Sequence, residues 1–407
     1  MNICWQLALK RRVSAGLLCI ALCSATPSPA QESPSEEKQS GDAFLSELVY
    51  KADVLRVAPV GGESKTVYLG NVDAKFTVDG ARAFQWPGSK FFLYVLNNHG
   101  GRPNGEARTT QGVDNIEVET GTTKIYQAWY QQQFAGDRVS VLIGLYDLNS
   151  EFYVTESSAL FLHPAFGISS DLAQTGINGP SIFPVTSLGT RFGFNLTPQV
   201  YWQWAILDGV PGNPDKPHGT HVEFGEADGW LLVSEIGTKS DAGKIGLGVW
   251  RYTERFDDLI DTDAAGNPLQ RVNHGFYLLA ERQLTREAGD SARGLRGFVR
   301  YGAANPDINQ FETAAQIGIT YQGLLPARGE DVVGFGIAHE NNSGKFRQAA
   351  LVAGESAPSQ EVAYELSYRA KLTDWLAIQP DVQFVRNHGD PVIMRATIIG
   401  VRCEVSW

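Results

Sequence analysis

Asp147, Asn149 and Glu151 stand at alternate positions at the start of a long segment in mid-chain. Two carboxylates and an amide so spaced can pair with hydroxyls, or form an electrostatic ring around a narrow passage. The competing reading is a turn, with Asp147 and Asn149 capping backbone groups. Arg82, Arg191, Arg296 and Arg300 alternate with apolar neighbours. On strands they would point away from the apolar face, where a guanidinium fork can grip hydroxyls or a carboxylate. The alternative is ion pairing that only stiffens a wall. Trp86 and Trp129 offer flat faces for stacking. Trp202, Trp204 and Trp375 are instead expected at a boundary between apolar and aqueous phases.

Catalytic readings find little support. Asp147 and Glu151 could mimic a glycosidase pair, but no further feature accompanies them. Gly179-Pro-Ser181 lacks the spacing of a nucleophile elbow. His218, His221 and Glu223 lie in a Pro/Gly-rich stretch that promises no defined metal geometry. Gly334-x-Gly336 reads as strand, not as a nucleotide loop. No enzyme, metal or cofactor is expected.

The elements that position these residues are strands. Reading back from the end, Trp407, Val405, Cys403, Val401, Ile399 and Thr397 form one face, apolar but for the threonine. Ser406, Glu404, Arg402, Gly400, Ile398 and Ala396 form the other, with two charges and a hydroxyl. Side chains alternate across a strand, so this stretch has a greasy face and a wet one. The pattern recurs in about sixteen segments of roughly 8 to 12 residues, the length of a tilted membrane-crossing strand. The clearest run from 361 to 384, broken at Thr373-Asp-Trp375 by a tight turn. Short turns also fall at 135–137 and 195–198, and long connections at 99–121, 147–187, 208–229, 253–273 and 340–360. One short rim and one long rim suit a transmembrane antiparallel β-barrel with long inward-folding loops. The alternative is a soluble, secreted β-protein that binds glycan; the strands of a sandwich are fewer and its two ends more alike.

Composition agrees. The chain has 407 residues with 43 glycines and 20 Phe, 14 Tyr and 9 Trp, a balance that favours all-β structure. A mean hydropathy of −0.18 does not exclude a barrel, because half of each strand faces water. Lys10-Arg11-Arg12, the apolar run 13–25 and the small residues before position 31 read as an export signal, 1–30. A polar leader, 31–45, precedes the barrel, 46–407. Loss of the signal leaves Cys403 as the sole cysteine, so no internal disulfide is expected. The net charge of −11 argues against nucleic acid as a partner.

Several pieces fall in chain order into a known pattern. They are Asp79-Gly-Ala-Arg82 with Gln85-Trp-Pro-Gly88, Asn115-Ile-Glu117, Gly144-Leu-Tyr-Asp-Leu-Asn-Ser-Glu-Phe152, Phe161-Leu162 and Phe166-Gly167. Asn178-Gly-Pro-Ser-Ile-Phe-Pro184 with Leu188-Gly189, Leu207-Asp-Gly-Val-Pro-Gly-Asn-Pro214 and Ile378-Gln-Pro-Asp381 follow. The chain resembles the OprB family of carbohydrate-selective porins over most of its length. Gln85, where the family tends to have glycine, and Trp407, in place of the usual terminal Phe, are departures. The resemblance implies a 16-stranded barrel in the bacterial outer membrane. Such a barrel lets monosaccharides such as glucose diffuse into the periplasm, as a monomer or loose trimer. Arg82, Trp86, Trp129, Asp147, Asn149, Glu151, Arg191, Arg296 and Arg300 are then expected at the pore constriction.

Overall fold

The computed structural model describes residues 42–225, 228–287, 292–388 and 395–407. The expected export signal and most of the leader lie outside the described residues. Sixteen strands form one closed sheet. They are β1 (Phe44–Pro59), β2 (Lys65–Asp79), β3 (Ser89–Gly100), β4 (Thr123–Phe134), β5 (Val139–Tyr146), β6 (Ser187–Asn195), β7 (Val200–Asp208) and β8 (Trp230–Ser240). Then come β9 (Gly243–Thr262), β10 (Pro268–Gln283), β11 (Gly294–Ala304), β12 (Phe311–Gln322), β13 (Val332–Asn342), β14 (Gln360–Thr373), β15 (Leu376–His388) and β16 (Arg395–Ser406). The first strand begins two residues inside the span expected to be leader. Each strand pairs antiparallel with its chain neighbours, and β1 pairs with β16 from Val49↔Ser406 to Pro59↔Ala396. The terminal Trp407 completes the seam through N–H···O bonds of 2.9 and 3.2 Å exchanged with Leu48.

The alternation places the two faces as the sequence implies. Ile399, Val401, Val382 and Phe384 are exposed on the outer surface, while Ile398, Arg402, Gln383 and Asp381 are buried inside. In water that outer stripe would be a sticky surface; in a bilayer it meets acyl chains. Trp202 and Trp204 face outward and stack on Phe194 and Phe192, and Trp375 is exposed at a short turn. Among the described residues no helix is long and apolar enough to cross a membrane.

One rim carries the short turns, among them 135–138, 196–199, 241–242 and 374–375, and the C-terminus. In outer-membrane barrels that rim is periplasmic. The other rim carries the connections 101–122, 147–186, 209–229 and 343–359. Two departures from the sequence pattern matter. The stretch 253–273, expected as a loop, is mostly strand. There β9, 20 residues long, and β10, 16 residues long, continue past the membrane as a hairpin. The second is a register shift opposite Tyr94/Val95, where Tyr94 pairs with Gln127 and Val95 with Ile125. It turns both Tyr126 and Gln127 inward, and Tyr126 is buried against Tyr94 and Phe183.

Candidate functional site

The loops 101–122 and 147–186 fold into the lumen. Phe152, Tyr153, Phe161, Phe166 and Leu172 of the longer loop are all at most 1% exposed, although they belong to no strand. A segment this long without regular structure must satisfy its backbone somewhere. It does so on inward carboxylates of the wall. Glu235 (β8) accepts the Tyr153 N–H at 2.9 Å, and Glu281 (β10) those of Glu156 and Ser157 at 2.9 and 3.0 Å. Glu365 (β14) accepts the Leu162 and His163 N–H groups at 2.6 and 3.0 Å. Glu361, four residues earlier, does the same for Thr110 and Gln111 of the shorter loop, at 2.8 and 2.9 Å. Bonds of this kind stabilise by about 0.5–3 kcal/mol each, the upper end applying where the acceptor is ionised. The two loops also hold each other: Asn115 donates its N–H to the Leu162 carbonyl and its amide to that of Phe161.

Arg300, buried at 0% exposure, grips the loop from its carbonyl side. Its guanidinium donates to Ala165 O at 2.6 Å, Gly167 O at 2.8 Å and Tyr153 O at 3.3 Å, and lies over the Tyr153 ring. This arginine positions the loop and leaves little for a solute. Asp147 and Asn149 are also structural. The Asp147 carboxylate accepts the Asn149 N–H at 2.8 Å, capping a 3-10 turn, and Asn149 donates its amide to Phe152 O. Burial pushes the Asp147 carboxyl up to about 6, against hydrogen bonds from Tyr126 and Asn149 that pull it down. Burial likewise raises Asp171 to about 7 and lowers His163 to about 3, so that His163 is a neutral packing residue.

Glu151, partly exposed, and Arg191, buried in the wall, form an ion pair. Arg191 Nε and Nη2 donate to the two Glu151 oxygens at 2.7 and 2.8 Å, while Nη2 also reaches Gln131 at 2.7 Å and Nη1 reaches Ser140. Tyr146 donates its hydroxyl to the same carboxylate. One row away on the wall stands Trp129, stacked on Phe92 with centroids 4.9 Å apart, its indole N–H on Gln127. Opposite Trp129 is Gly144, and opposite Gly144 is Gly189. A Cβ at Gly144 would lie 2.3 Å from the Ala128 carbonyl. Only glycine fits beside Trp129 at this close approach, and the partly buried indole lies one row from the Glu151–Arg191 pair. Arg296, half-buried, reaches Glu156 at 3.2 Å and Gln283.

Two expected site residues lie elsewhere. Arg82 is not on a strand. Asp79 ends β2 by capping the helix Gly80–Phe84 at the short rim, so the alternation stops before Arg82, which pairs with Asp79 at 3.5 Å. Trp86 packs outside the barrel against Tyr130 and Phe91, at 5.3 and 6.1 Å, as part of the aromatic girdle. Sequence reading missed Glu235, Glu281, Glu361 and Glu365 as loop anchors. Their signal is a carboxylate on the lumen-facing parity of a strand.

Residues 63–407 match the family model described as carbohydrate-selective porin, OprB family. Porin B of Pseudomonas aeruginosa is 26% identical over 357 residues, covering 78% of this chain and 77% of the relative. The putative porin QuiX of Acinetobacter baylyi is 23% identical, covering 68% and 67%. Among solved structures, the high-pH form of Pseudomonas putida OprB superposes with a TM-score of 0.79 at 20% identity, over 90% of this chain and 94% of that one. The channel DcaP of Acinetobacter baumannii gives 0.58 at 11% identity, over 89% and 97%.

Proposed function

Because the chain belongs to the OprB family of carbohydrate-selective porins, and so forms a sugar-passing channel of the bacterial outer membrane, we propose that its substrates are neutral monosaccharides such as glucose. Passage is by diffusion, without chemistry on the solute. The observation that carries the proposal is the Glu151–Arg191 pair, its carboxylate partly exposed, one row from the partly buried indole of Trp129. A hexose ring has hydroxyls around its edge and C–H groups on its faces. The pair exchanges hydrogen bonds with the former, and the indole stacks on the latter. Asp147, Asn149 and Arg300 contribute by fixing the loop, and Arg296 with Glu156 lines the path of the solute.

Liposome swelling with glucose, a neutral disaccharide and a small polyol of matched size class tests this. Wild type should admit glucose fastest relative to size, and Trp129→Ala or Glu151→Gln should erase that preference while leaving the polyol rate nearly unchanged. Rates that follow solute size alone, in wild type and variants alike, would leave a general porin.

A further inference from the structure

Arg386 of β15 and Arg395 of β16 are direct cross-strand partners. Both share the parity of the outward set, which on these strands includes Val382, Phe384, Ile399 and Val401. Like charges set directly opposite one another destabilise a sheet. Among the described residues neither guanidinium has an ion-pair or hydrogen-bond partner, and the Arg386 Nε is buried without one. The Nδ1 of His388, two residues on with the same parity, is also buried without a partner.

The height of the pair is informative. Arg386 lies ten residues beyond Leu376, where β15 leaves the short rim. At about 3.3 Å per residue and a tilt of about 40°, that is a rise of about 25 Å, the height of the apolar band of such barrels. Directly beneath, Phe384 faces Thr397 and Val382 faces Ile399. Two positive charges therefore crown an apolar wall at the level where outer-leaflet acyl chains end.

We propose that Arg386 and Arg395 form a site for the phosphate of an outer-leaflet lipid headgroup. A phosphate placed between the two forks accepts hydrogen bonds from both and cancels their repulsion. Its acyl chains lie along Val382, Phe384 and Ile399, which is why the occupant is a lipid and not a free anion.

Native mass spectrometry of the detergent-purified barrel tests the site with three probes: bisphosphorylated lipid A, the same lipid stripped of phosphate, and inorganic phosphate. Wild type should retain the phosphorylated lipid and neither of the others. The double variant Arg386→Gln/Arg395→Gln should lose affinity by about tenfold or more, the scale of one lost charge-assisted contact. Arg282→Gln, which removes an exposed arginine at the periplasmic end of β10, should behave as wild type. Equal retention by the double variant would overturn the proposal, and so would inorganic phosphate that displaces the lipid. Thermal unfolding in lipid-free detergent separates a structural role. Relief of repulsion should leave Arg395→Gln at least as stable as wild type, whereas a lower midpoint there would mean that the arginines serve the fold.

Discussion

Asp53 and Arg402 stand directly opposite each other across the seam between the first and last strands, both facing the lumen and both buried. The guanidinium donates to the two carboxylate oxygens at 2.6 to 3.1 Å and to Asn115 of the shorter inner loop at 2.7 Å. One ion pair thereby ties barrel closure to loop placement. Removing one partner leaves an uncompensated buried charge, so Arg402→Leu should destabilise by about 3–5 kcal/mol. Adding Asp53→Leu should recover most of that loss. Urea unfolding of the barrel in lipid vesicles gives both values, and a double variant no better than the single would contradict the account.

Arg296 and Arg300 are four residues apart on one face of β11 but do different work. Arg300→Met deprives three loop carbonyls of their donor. It should release the loop, raise single-channel conductance and its noise, and weaken discrimination among solutes. Arg296→Gln breaks only half-exposed contacts, with Glu156 and Gln283. It should alter solute rates with less than about 1 kcal/mol of stability lost. Planar-bilayer recording and thermal unfolding, taken together, distinguish the two.

Glu117, in the shorter loop, has its carboxyl raised to about 8 by burial, against the Asn104 N–H and the Arg102 charge that lower it. The folded state therefore binds a proton that the unfolded loop releases near 4.5. The stabilisation is whole below about 4.5 and is lost as pH rises through about 8. Amide exchange in 101–122 should accelerate across that window in wild type and should not in Glu117→Gln. A loop whose exchange slows as pH rises, once intrinsic rates are divided out, would reverse the sign.

Gln85 closes the Gly80–Phe84 helix at φ 57°, a left-handed conformation. Glycine adopts it freely, whereas glutamine pays for its Cβ. Gln85→Gly should stabilise by about 0.5–1 kcal/mol, the left-handed strain less the added freedom of the unfolded chain. A lowered thermal midpoint would show that the glutamine side chain contributes a contact of its own.

The strands were legible because lipid outside and polar groups inside impose a strict two-residue period. The hairpin formed by β9 and β10 was not, since above the membrane both faces are wet and Glu254, Arg255, Asp257 and Asp258 interrupt the apolar beat. Arg82 was misplaced because a cap at Asp79 ends the strand, an event local geometry decides. Trp86 beyond it then falls on the outer surface. Asp147, Asn149 and Glu151 divide between a turn and an ion pair. Which of them serves the turn and which meets Arg191 depends on the loop's path, fixed by wall residues far away in sequence.

The seam has a consequence for biogenesis. The partner of Val49 is Ser406, so the first strand stays half-paired until nearly the whole polypeptide has been delivered. A chain without β16 leaves β1 and β15 as two open edges instead of none. Closure of the ring therefore waits for β16, the strand that pairs with the first.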